Sequence, residues 1–101
     1  MRVMDSGDRQ RLLELLRDQH SFPTAHRVQV IVRNEDATVD AVLVALAAQV
    51  TLEGEAIRHV RQPSRNGTYV SLRVHVPVAA AEDVLLIYER LGQLEGVINY
   101  F

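Results

Sequence analysis

The chain has 101 residues and a mass of 11.4 kDa, room for one domain of ordinary size and no second. Apolar residues make up 48% of it and the formal charge is −2, which supports a packed core and excludes an obligate nucleic-acid arm or acidic tail. Cysteine is absent, so disulfides, thiol nucleophiles and thiolate metal sites are excluded, and no apolar run nears the roughly 20 residues of a membrane span.

The first predicted element is a helix over Asp8–Gln19, with Leu12, Leu15 and Leu16 on one face, Leu13 at its flank and Ser6 as its cap. Four charges within the first nine residues, and no apolar signal core, argue against export and for a cytoplasmic protein. Phe22-Pro23 ends the helix, because the residue before proline avoids helical geometry. Ala25–Arg33 alternates, with Val28, Val30 and Val32 on one side and Arg27, Gln29, Ile31 and Arg33 on the other, which is a strand. Asn34-Glu35-Asp36 is a turn that caps a second helix, about Ala37–Val50, with an apolar stripe of Val39, Val42, Leu43, Leu46 and Val50.

A second strand over Ala56–Pro63 alternates poorly and ends in proline, as an edge strand can. Arg65-Asn66-Gly67 reads as a three-residue hairpin loop, with Gly67 in the left-handed position. The third strand, Thr68–Val76, points Val70, Leu72, Val74 and Val76 inward and Tyr69, Ser71, Arg73 and His75 outward, and Pro77 ends it. That loop sets Val60 opposite Leu72 and His59 opposite Arg73. A last helix over Ala80–Leu91 carries Val84, Ile87, Tyr88 and Leu91 inward, stops at Gly92, and leads to a fourth strand at Val97–Phe101.

Right-handed crossovers turn this order into an α+β, ferredoxin-like βαββαβ sandwich. The expected sheet is antiparallel with order 4-1-3-2. Two helices cover one face, and an extra amino-terminal helix precedes them. The chain divides into a helical extension, 1–20, and the sandwich, 21–101.

Three stretches resemble a known family. Phe22-Pro23 precedes the first strand, Pro63-Ser64-Arg65-Asn66-Gly67-Thr68-Tyr69-Val70-Ser71 spans the hairpin, and Tyr88-Glu89-Arg90-Leu91-Gly92 ends the last helix. In this order and spacing they are similar to the YbeD-like family of small bacterial proteins of unknown function, over about Ser21–Phe101. The resemblance implies a fold like that of the ACT-type regulatory domains, and no catalytic residues. The extra helix goes beyond the family pattern. So does Ala79-Ala80-Ala81, which stands where a polar helix cap is usual.

No phosphate-cradling glycine loop, G-x-S-x-G or H-E-x-x-H occurs. His59 and His75 come together on the expected open face, but two imidazoles without a carboxylate make solvated histidines rather than a zinc site. Neither a metal nor another cofactor is expected. Charge distribution says more than its sum. Ala56–Ala81 holds no acidic residue but carries Arg58, Arg61, Arg65 and Arg73. All 11 basic residues are arginine, which reflects base composition or a use for planar, bidentate anion contacts.

The expected binding face therefore comprises Arg27, Arg33, His59, Arg61, Tyr69, Arg73 and His75. Nucleic acid is not the expected partner, because RNA-recognition modules stack bases on central-strand aromatics where this chain has Gln29 and Ile31. Tyr69 is expected to pack beside Pro63. Leu85 and Leu86, with the first helix's leucines, suggest a second contact patch. The reading is a non-enzymatic regulatory or interaction module with a protein partner, or a homodimer. The alternative is an ACT-like sensor of an amino acid or small anion held by Arg27, Arg61 or Arg73. The plainest competitor is a solvated face whose charge Glu14 or Asp18 neutralises in part.

Overall fold

Alternating valines build the sheet. The structure, a computed structural model, describes residues 5–101, so the first four residues of the expected extension lie outside the described residues. The long strands are β1 (Thr24–Arg33) and β3 (Tyr69–Val78). They send Val28, Val30 and Val32, and Val70, Leu72, Val74 and Val76, into the core at 2% exposure or less. Branched side chains suit a pleated, half-buried surface, which is why these runs are strands. Two helices lie on that face: α2 (Asp36–Ala47), through Val39, Val42 and Leu46, and α3 (Ala81–Gln93), through Val84, Ile87 and Leu91.

The edges are β2 (Arg58–Pro63) and β4 (Val97–Tyr100), and α1 (Ser6–Gln19) precedes the rest. The architecture is α+β, a four-stranded antiparallel sheet with three helices. Strand order is β2-β3-β1-β4, which is 4-1-3-2 counted from the β4 edge. An extra residue, Ile98, bulges β4 between the Val32–Val97 and Ile31–Asn99 pairs.

Several local expectations are corrected. Asp5, not Ser6, caps α1, its carboxylate accepting the Asp8 amide N–H at 2.8 Å. The face of α1 is rotated as well: Leu13 is buried against Ala81 and Leu85, while Leu12 and Leu15 are exposed. Leu85 is thus covered by α1 and is not available for a contact patch; Leu86 remains exposed. Ion pairs Arg9–Glu89 (3.0 Å) and Arg17–Glu82 (2.9 Å) flank that contact. Exposed pairs contribute about 0–1 kcal/mol each, and a buried leucine about 1.5–3 kcal/mol, so Leu13 is the main anchor of α1.

Pro77 does not end β3, which runs on to Val78. Gln29 exchanges both backbone hydrogen bonds with Phe101 on the β4 side. Alternation along β1 then turns the Pro77 nitrogen away from its partner Ala25, toward the flank where β2 has already ended. No ladder bond is lost there, so proline is tolerated. Nor is Gly92 a stop: α3 continues through Gln93, and the left-handed glycine is Gly96 (φ 81°), where a Cβ would meet Thr38 Cγ2 at 2.7 Å.

The hairpin is one residue longer than expected. Ser64 N–H donates to the Tyr69 carbonyl (2.8 Å), leaving Arg65–Thr68 as the loop, with Gly67 at φ 76°. The extra residue, Thr68, is held by its amide donating to Asn66 Oδ1 (3.3 Å). This slips the β2–β3 register by one, so Val60 faces Arg73 and His59 faces Val74.

Candidate functional site

The second sheet face carries no helix. In an antiparallel pair, directly opposed residues share a face. The registers therefore lay the open face out in rows across the sheet. One row is Arg58–His75–Arg27, the next Val60–Arg73–Gln29–Phe101, and the third Gln62–Ser71–Ile31–Asn99, with Tyr69–Arg33 beyond.

Of the seven expected site residues, Arg27, Arg33, Tyr69, Arg73 and His75 lie on this face. His59 and Arg61 do not. The one-residue slip places them opposite Val74 and Leu72, on the helix side of an exposed edge, so His59 and His75 are not brought together. The same slip delivers Arg58 and Val60 to the open face. Sequence reasoning missed Arg58 because the loop length decides the parity of the whole strand.

Tyr69 does not pack beside Pro63. Its ring lies under the Arg33 guanidinium, whose carbon is 6.0 Å from the ring centroid. Gln29 Nε2 donates to Ser71 Oγ at 2.8 Å, which fixes the centre of the face. No open-face residue is acidic. Among the described residues, Arg27, Arg58 and Arg73 make no ion pair. Glu14 and Asp18 belong to α1, which packs on α3 at the far side of the molecule. Exposed Val60, Tyr69 and Phe101 stand among these cations.

The open face is not bare throughout. The α2–β2 connection crosses one end of it, where the Thr51 amide donates to the Pro77 carbonyl (3.1 Å). Between this connection and the strands lies a cleft of about 550 Å³. Ala25, Pro77 and Leu52 give it apolar walls, and Arg58, His75 and Glu55 give it polar ones.

A second cluster lies on the helix side. His26 is 7% exposed, its Nε2 3.3 Å from the Tyr88 hydroxyl. Its ring meets His20 edge-on at 5.3 Å, and Tyr88 stacks on Tyr100 at 6.1 Å. Burial, helped by the nearby His20, lowers the His26 pKa below the usual 6.5, and burial raises that of Tyr88. His26 shares the inward parity of Val28, Val30 and Val32, a signal the sequence carries. No group of three metal-ligating side chains occurs among the described residues.

A family model described as a protein of unknown function, DUF493, matches residues 17–101. The chain belongs to this family. The DUF493 match starts within α1 and takes in the whole sheet, both face-covering helices, the cationic rows and the cleft. No curated protein matches this DUF493 chain. No solved structure matches it either.

Proposed function

We propose that this chain is a non-enzymatic regulatory or interaction module of the bacterial cytosol, docking an acidic protein surface on its open sheet face. One observation carries the reading. The face's strands contribute no acid, its arginines form no ion pair among the described residues, and exposed Val60, Tyr69 and Phe101 stand among them. Arginine beside aromatic and aliphatic side chains is the composition of a protein interface, with charge giving specificity and apolar contact giving affinity. Base readout fits less well, since the central row presents Arg73 and Gln29 where stacking needs aromatic rings. The βαββαβ order after α1 supports a ferredoxin-like, ACT-like arrangement, and the motifs quoted above support the YbeD-like reading. Among the described residues no helix is long and apolar enough to cross a membrane.

The test is capture of partners by tagged protein, wild type beside Arg73→Glu. The expected result is a stoichiometric acidic partner, lost in the variant and weakened by salt. Reversing one charge in a complementary contact costs at least about 2 kcal/mol, roughly thirtyfold in affinity. Partners captured equally by both proteins, and indifferent to salt, would sink the open-face reading.

A further inference from the structure

The row Arg58–His75–Arg27 joins three neighbouring strands, and Arg73 lies two residues from His75 on the same face. Strands sit about 4.8 Å apart, so His75 stands between Arg58 and Arg27 across the strands, with Arg73 next along its own strand on that face. No two of these arginines are directly opposed, but three like charges gathered on one face repel one another unless an anion neutralises them. None of these arginines forms an ion pair with a carboxylate among the described residues. The cleft beside the row is roomy enough for a small molecule and has apolar walls at Ala25, Pro77 and Leu52.

We propose that Arg27, Arg58, Arg73 and His75 form an anion site that seats the phosphate of a small organic phosphate, with its carbon skeleton in the cleft. A phosphate offers three acceptor oxygens and a double charge to donors converging from three strands, whereas a carboxylate offers two oxygens and a single charge. Glu55 is the one carboxylate in the cleft lining, and it opposes the bound anion. The site shares the face assigned above to a protein partner but needs no partner. A failure here therefore leaves the capture experiment standing, and the reverse holds too.

The experiment titrates the purified protein with glycerol 3-phosphate, inorganic phosphate and succinate at ionic strength fixed with sodium chloride, following backbone amides by NMR. The proposal expects saturable shifts centred on residues 27, 58, 73 and 75. Glycerol 3-phosphate should bind more tightly than inorganic phosphate, and succinate more weakly than both. Arg58→Gln and Arg27→Gln should each weaken binding about tenfold, the loss of one charge-assisted hydrogen bond. Arg65→Gln, at the hairpin tip, should leave it unchanged. Glu55→Gln should tighten it, a gain that no folding defect imitates, and the same spectra report whether each variant is folded. Shifts that never saturate, succinate binding as tightly as the phosphates, an Arg58→Gln titration like wild type, or weaker binding in Glu55→Gln would each overturn the assignment.

Discussion

His26 is the one polar residue in the buried class among the described residues, and its position makes a pH prediction. Unfolded, it takes a proton near the usual 6.5; folded, burial and His20 hold that proton off until a lower pH. Between those values the unfolded chain binds the extra proton. Stability is therefore present above about pH 6.5 and falls as pH drops through that window. Urea-unfolding midpoints should decline from about pH 7.5 to 5.5 in the wild type, and decline less in His26→Gln. Equal declines would assign the effect to the other histidines. At this scale the sequence was legible where parity was strict. The inward valines read directly, and His26 follows from the same alternation two residues earlier. Arg58 and His59 could not be assigned to faces, because their parity hangs on the hairpin loop and not on their own segment.

Elements were legible in number and type, less so at their ends. The end of α3 shows why. Ala79-Ala80-Ala81 offers no side-chain cap, yet the helix start is satisfied from a distance. Asp83 accepts the Ala80 amide N–H at 3.0 Å and the Thr51 hydroxyl at 2.9 Å, while that hydroxyl accepts the Ala79 amide N–H at 2.9 Å. Asp83 is the local part of this arrangement; the part lent by Thr51, 28 residues upstream of Ala79, leaves no local signal. Thr51→Ala should destabilise the protein by about 1 kcal/mol, and Thr51→Ser, which keeps the hydroxyl, by much less. Urea melts check this, and equal midpoints for the two variants would remove Thr51 from the cap. For α1 the difficulty was different. Leu12, Leu13, Leu15 and Leu16 spread over an arc of about 160°, so periodicity alone cannot choose which edge of that arc is buried; Ala81 and Leu85 of α3 choose it.

The whole molecule separates its charges. Acids gather at the start of α2 and in the first turn of α3, α1 balances its acids with arginines, and the open face is cationic. The slab is 21 Å across its thin direction, about twice the Debye length of roughly 10 Å at 0.1 M salt. A charged surface at that ionic strength therefore meets one side at a time. The protein should bind a sulfonate resin at neutral pH despite its net charge of −2. Arg58→Gln with Arg73→Gln should shorten retention, and Arg11→Gln on α1 should not. Equal elution of all three proteins would show that the resin reads net charge alone. The layering of helices on one sheet face was legible from element order and crossover handedness. The cleft was not, since it depends on how the α2–β2 connection folds over Pro77, and that run lacks periodicity.

The exposed β2 edge sets how the molecule behaves in a crowd. An unpaired strand is a template on which further copies can stack into fibrils. Here the template is poor. Arg58 and Arg61 would bring like charges close together when two copies align edge to edge, and Pro63 withholds a donor at the strand's end. The same arginines that leave the broad face ready for an acidic visitor also keep identical neighbours from zipping onto its rim.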